Sequence, residues 1–553
     1  MPFVKPNEIN GHTFDFIIVG GGTAGCVLAN RLSANRKYKI LVLEAGSSTP
    51  DDVLESRIPL LNSRLKNTDV DWKLQSTCQS NADDRVISIP LGKMLGGCSS
   101  FNACLHHRCS PSDYDAWNVK GWTYDELRPY FCKAESFHDA SVDENIHGTA
   151  GPLHATQADL GLLGKYFKKA CKEIGLQEHY DVTDEPCQIG VTHVQASIYR
   201  GERSSTGACY LSKETLKHQP NLTIAMGCHV NQILFDDKRA HSVEFKDRNE
   251  STFTVNVGRE VILSLGAIFS PYLLLKSGIG PKDELARHGI PTIIDLPGVG
   301  KNLQNHWRVP LVHETVEPEM SLHRDLFINR DVTLKQALDK KNGAFTRIWP
   351  DAVAYLKIPD TPDNSSHIKN TPQIELFTGG LALCSHLASL KEVNSATLLM
   401  VYLAPFSRGS ITLSDKQALC VDLGLLQDER DMECLEKGLR LSFSIANHPT
   451  YKESCVKRWI LPSKDMNDID VKQYIKEHVE TIHHYAGTCK MGTKDDPEAV
   501  VDDHLKIHGI ENVRVVDASF FPIVPAGQIC FPVIACAEKA ADMILNDNEN
   551  CTQ

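Results

Sequence analysis

Residues 14–25 read Phe-Asp-Phe-Ile-Ile-Val-Gly-Gly-Gly-Thr-Ala-Gly, and residues 39–46 read Lys-Ile-Leu-Val-Leu-Glu-Ala-Gly. The run Phe14 to Val19 is short and apolar, and it stops at Gly20, Gly22 and Gly25 in the spacing G-x-G-x-x-G. Between a strand and a helix this spacing has a physical meaning. Gly20 permits a tight turn, Gly22 lets the backbone approach a pyrophosphate, and Gly25 lets the helix pack closely on the strand. The helix N-terminus then faces the phosphates with free N–H groups and the positive end of its dipole. A second strand, Lys39 to Leu43, ends at Glu44, about 20 residues beyond Gly25, where a carboxylate can accept hydrogen bonds from ribose hydroxyls. The segment is therefore read as a strand-turn-helix-strand cradle for a dinucleotide.

Further apolar runs of strand type occur at Glu260 to Leu265 and Val513 to Val516, with helical stretches between. Their scatter predicts an α/β layer assembled from distant parts of the chain. Between them, Thr397 to Leu403 and Gly409 to Leu413 read as antiparallel strands. The division expected is a dinucleotide-binding domain of 1–154, 216–306 and 466–553, interleaved with an α+β substrate domain of 155–215 and 307–465 built on an antiparallel sheet. No internal repeat or low-complexity tract is found.

The chain has 553 residues, 42% hydrophobic and 23% charged, which are ordinary values for a globular protein. A net charge of -12 without a basic block argues against nucleic acid as a partner. The start, Met-Pro-Phe-Val-Lys-Pro-Asn-Glu, lacks the apolar core of a signal peptide and predicts a cytoplasmic protein. The uncharged stretch Ala518 to Ala537 is broken by Pro522, Pro525, Gly527 and Pro532, so no membrane span is expected. The 18 cysteines include no C-x-x-C pair and predict reduced thiols and no metal site.

Three other segments carry a family resemblance. Gly92-Lys-Met-Leu-Gly-Gly-Cys-Ser-Ser-Phe-Asn102 and Gly266-Ala-Ile-Phe-Ser-Pro-Tyr-Leu-Leu-Leu-Lys-Ser-Gly-Ile-Gly280 resemble the two sequence patterns of the glucose-methanol-choline (GMC) oxidoreductases. His484-Tyr-Ala-Gly-Thr-Cys-Lys-Met-Gly492, followed by Val513 to Ser519, is similar to that family's C-terminal catalytic block. The likeness runs in order from residue 14 to residue 545. It implies a Rossmann-type FAD-binding domain with a substrate domain resting over the flavin ring.

The resemblance implies cofactor contacts at Gly20, Gly22, Thr23, Ala24, Gly25, Glu44 and Ala45. It implies more at Leu95, Gly96, Ser99, Asn102 and Ala103, at Val230, and at Asp517, Ala518, Gln528 and Ile529. Where some members attach the flavin covalently through a histidine, this chain has Phe101, so dissociable FAD is expected. His484 matches the family's catalytic base, while Gln528 stands where a second His or Asn usually faces the substrate oxygen. An amide can donate and accept there but cannot take a proton, which leaves proton abstraction to His484 alone. His483 is the expected bystander.

The function this implies is oxidation of a small-molecule alcohol to an aldehyde or ketone, with hydride transfer to flavin N5. Oxygen or another acceptor would reoxidise the flavin, and the residues do not choose between them. Oligomeric state is equally open. Gln528 also motivates an alternative: a flavin-containing enzyme of the same fold with non-redox chemistry, such as a lyase, cyclase or decarboxylase.

Overall fold

The computed structural model describes residues 2–139, 143, 145–359, 371–383 and 393–550. The apolar runs picked out above come together in one eight-stranded sheet. Its parallel part places Leu222–Met226, Ile40–Glu44, Thr13–Val19, Thr252–Leu263 and Val513–Val515 side by side. Leu41, Ile17, Val261 and Val513 lie in one row across four of these strands. Phe16 to Val19 are fully buried, as a parallel sheet covered on both faces requires. Arg239–Lys246 and His229–Asp236 extend the sheet as antiparallel ribbons.

The helix Thr23–Ser33 follows the glycine turn and packs against the long helix Cys530–Asn550. Arg31 clasps Glu538 through two hydrogen bonds of 2.7 Å, and the Tyr210 hydroxyl donates to the same carboxylate at 2.7 Å. Two ends of the chain are thereby fixed on one side of the sheet. No described helix is long and apolar enough to cross a membrane.

A second sheet has seven strands, all antiparallel. Its centre is Trp307–Thr315, Ser395–Tyr402, Ile374–Gly379 and Ala352–Leu356. The expected strand near Thr397 to Leu403 lies here. The one near Gly409 to Leu413 forms instead a separate hairpin, Ser410–Leu413 with Leu419–Asp422. Glu480–Thr481, just before His484, pairs with Trp307–Thr315. This contact anchors the His484 segment to the antiparallel sheet. The described cysteines are free thiols.

Candidate active site

A cavity of about 640 Å³ runs between the two sheets. One end is lined by Gly20, Gly22, Thr23, Ala24, Glu44, Ala45 and Val230, the middle by Asn102, Ala103, Asp517 and Ala518, and the other end by His484, Gln528 and Ile529. Gly25, Leu95, Gly96 and Ser99 do not reach the lining and stand behind it. A Cβ on Gly25 would sit 1.9 Å from the Gly20 carbonyl oxygen, so this glycine sets how closely helix and strand approach. The Ser99 hydroxyl donates to the Gly96 carbonyl at 2.7 Å, and the Gly96 N–H donates to the Gly21 carbonyl at 2.8 Å. Leu95 is 1% exposed and hydrogen-bonded to Ser48 through its backbone.

The glycine-turn end has the features of a phosphate site. The helix Thr23–Ser33 begins at Gly22 with no side-chain cap, which leaves its first-turn N–H groups open toward the cavity. A Cβ on Gly22 would meet nothing of the protein closer than 3.6 Å, so packing leaves the space above it open. Glu44 is buried and accepts from the backbone N–H groups of Gly21 at 2.8 Å and Gly46 at 2.7 Å. Burial nonetheless pushes its pKa up to about 7. Asp517 accepts from Ser270 Oγ at 2.6 Å, the Gly266 N–H at 2.9 Å and both Ser519 donors, joining the Val513–Val515 strand to the helix Gly266–Lys276. Asn102 Oδ1 accepts from Arg203 at 2.7 Å and from the Cys104 N–H at 3.0 Å, and the side chain also lines the cavity. These donors and acceptors are of the kind that could hold a dinucleotide.

At the far end the structure joins four buried side chains in series. His484 Nε2 lies 3.1 Å from Gln528 Oε1, and Gln528 Nε2 donates to Glu375 Oε2 at 2.8 Å. His484 Nδ1 lies 2.9 Å from His306 Nδ1. The backbone around His484 is fixed as well. Its N–H donates to Asn305 Oδ1 at 2.9 Å, while Gln304 and Ala486 exchange two backbone bonds. Gln528 sits in the loop before the helix Cys530–Asn550, where the Ala526 N–H donates to Asp113 at 3.0 Å. Burial pushes the His484 pKa down to about 4, so the imidazole is neutral at cellular pH. His483 also lines the cavity, with its Nδ1 3.4 Å from the Tyr485 hydroxyl and no contact to Gln528.

His306 and Glu375 were not singled out from the sequence. Glu375 had a local signal: a carboxylate in the fully buried strand Ile374–Gly379, on the same face as Phe377, which lines the cavity. His306 had none, because its importance comes from meeting a residue 178 positions away. Among the described residues no group of three metal-ligating side chains gathers.

The chain matches the GMC oxidoreductase family over residues 14–308 and again over 405–537. It is 34% identical to an alcohol dehydrogenase [acceptor] of Pseudomonas putida, covering 96% of both chains. It is 33% identical to an oxygen-dependent choline dehydrogenase of Vibrio vulnificus, covering 96% of this chain and 94% of that one. Among solved structures, a formate oxidase variant of Aspergillus oryzae superposes with a TM-score of 0.90 at 28% identity, covering 98% of this chain and 99% of the other. With both halves matched and the likeness extending over nearly the full length, the chain belongs to the GMC oxidoreductases, a family that uses FAD.

Proposed function

We propose that this protein oxidises an uncharged aliphatic or aromatic primary alcohol, with dissociable FAD and with His484 as the base. FAD, when bound, supplies the acceptor for the hydride leaving the alcohol carbon. The observation that carries the reading is the pairing of His484 Nε2 with Gln528 at 3.1 Å at the inner end of the cavity that the glycine turn opens. A hydroxyl entering between them can give its proton to the neutral imidazole and hold its oxygen against the amide. Backbone bonds to Asn305 and Gln304 fix the ring before the substrate arrives, so little reorganisation is needed.

The substrate class follows from the rest of the wall. Trp349, Phe377, Leu381, Leu383 and Leu399 line this side of the cavity. Arg308 and Lys66 also line it, but Arg308 is paired with Glu480 at 2.7 Å and the same carboxylate acts on Lys66. An apolar wall with offset charge suits a neutral substrate. Phe101 lines the cavity as well and offers no nucleophile, which supports a flavin held without a covalent bond.

The test is anaerobic bleaching of the flavin by a panel of aliphatic, aromatic and amino alcohols, with formate as control. One class of neutral alcohol is expected to bleach it, and His484→Ala should lower that rate by roughly 10²–10⁴. A flavin that no alcohol reduces, together with turnover of some compound without any electron acceptor, would replace this reading with the non-redox one.

A further inference from the structure

The two barest large apolar side chains among the described residues, Val332 at 73% exposed and Ile328 at 65%, stand four positions apart, with Phe327 at 47% next to them. They belong to the turn Arg324–Ile328 and to the helix Arg330–Lys340 that follows it. The inner side of this unit is well packed: Leu326 and Ala337 are buried with Leu60, Leu61 and Phe345. Isolated apolar residues on a surface need no explanation, but three together on an element whose other face is already buried mark a contact surface.

The unit is the outer side of the cavity wall. Leu60 lines the main cavity, as do Trp349 and Leu381, which pack against the same cluster. The exposed residues Ser63 and Lys66 line it too, so the cavity reaches solvent here. Arg64, between them in sequence, stands beside Arg330. Burial and the positive charge of Arg330 hold the Arg64 guanidinium below its ordinary value, against a weaker pull from Glu55. Among the described residues neither guanidinium has a hydrogen-bonded or ion-pair partner, and Arg330 Nε is buried without one.

Charge decides what covers the apolar side chains. Residues 324–341 carry five cations, Arg324, Arg330, Lys335, Lys340 and Lys341, and three carboxylates, Asp325, Asp331 and Asp339, in a chain whose net charge is -12. Asp325 accepts from the Thr333 hydroxyl at 3.2 Å, and Lys341 is taken by Glu202 at 2.5 Å. Two adjacent unpaired guanidiniums beside bare Phe, Ile and Val side chains match a surface that is apolar inside and anionic at its face. A second copy of the chain is a poorer occupant, because a two-fold contact would set these cations against each other and three side chains are a small core for a dimer.

We propose that Phe327, Ile328 and Val332 insert into an anionic phospholipid bilayer whose phosphates meet Arg64 and Arg330, and that the alcohol enters the cavity from the bilayer through the opening at Ser63 and Lys66. The substrate is then a long-chain alcohol that partitions into lipid, in keeping with the apolar wall at Leu60, Trp349 and Leu381. This second part rests on the reading of the protein as an alcohol-oxidising enzyme.

The test is flotation of the holoenzyme with vesicles of phosphatidylcholine alone or with about one-third phosphatidylglycerol. Binding should be at least about tenfold tighter to the anionic vesicles. Arg330→Gln should weaken it about fivefold, and Ile328→Ser combined with Val332→Ser by more than about tenfold. All variants should keep their flavin and a kcat/KM for a short, water-soluble alcohol within about twofold of wild type. For a long-chain alcohol carried in the anionic vesicles, kcat/KM should fall in step with binding. Equal binding to both kinds of vesicle, or binding that the double variant leaves unchanged, overturns the docking surface, as does lipid-free self-association that the double variant abolishes while vesicles stay unbound. A long-chain rate that ignores the loss of binding overturns entry from the bilayer. Failure of the alcohol reading is distinct, since no alcohol would then bleach the flavin while flotation would still judge the surface.

Discussion

At the Gly20 end of the cavity the wall is backbone, whereas at the His484 end the lining side chains His484 and Gln528 are held from behind by two others, His306 and Glu375. The first end is built from residues close in sequence: a strand, a turn and the uncapped start of the helix Thr23–Ser33. The second joins residues 306, 375, 484 and 528, which come from the antiparallel sheet, the segments next to its strands and the loop before the last helix. A backbone site needs only the absence of side chains at a few places, and it tolerates change elsewhere. A side-chain series needs every donor matched to an acceptor, so one altered proton is felt along its whole length.

The strongest way to break this contrast is at Gly22. A Cβ there has room, with the Ser264 carbonyl oxygen at 3.6 Å, and the two methyls of a valine would reach into the approach to the helix N-terminus. Gly22→Val should fold normally by circular dichroism and purify with little or no flavin, losing essentially all flavin-dependent activity. A flavin-to-protein ratio equal to wild type would show that the glycine turn does not hold the cofactor.

Gln528→Leu addresses the other end. It should leave flavin content unchanged and lower kcat by roughly 10²–10³, the usual cost of removing one donor from a developing oxyanion. Loss of less than about tenfold would mean that the amide only shapes the pocket. The smallest effect concerns acid. The His484 pKa is pushed down to about 4 by burial, so the base stays unprotonated as pH falls from 7 to 5. The value of kcat/KM should therefore stay within about twofold over that range, where an unperturbed histidine of pKa about 6.5 would cost more than tenfold by pH 5. A decline centred near the ordinary histidine value would show that His484 is better hydrated than its burial implies.

What could be read from the sequence follows the same division. The strands at Thr13–Val19, Ile40–Glu44 and Val513–Val515, and the Glu260 to Leu263 end of Thr252–Leu263, were legible because each is an apolar run bounded by glycine, acidic residues or turns, a pattern set by local burial; the polar start of Thr252–Leu263 was not. The glycine spacing gave the turn because steric room is a property of the residue itself. Gly25, Leu95, Gly96 and Ser99 illustrate the limit. A motif marks positions that matter to a site, but it does not distinguish those that touch the ligand from those that hold the wall in place.

The hairpin Ser410–Leu413 shows a second limit, since its alternation predicts a strand without saying which sheet it joins. By itself, then, the sequence determined the parallel layer and the glycine turn, and it singled out His484 and Gln528, which the structure brings together at 3.1 Å. Tertiary structure alone decided what stands behind them. His306 reaches His484 across 178 positions, and Glu375 reaches Gln528 across 153. Hydrogen bonds between distant side chains leave no periodicity and no spacing in the chain. They exist only once packing has removed water and left each donor a single partner.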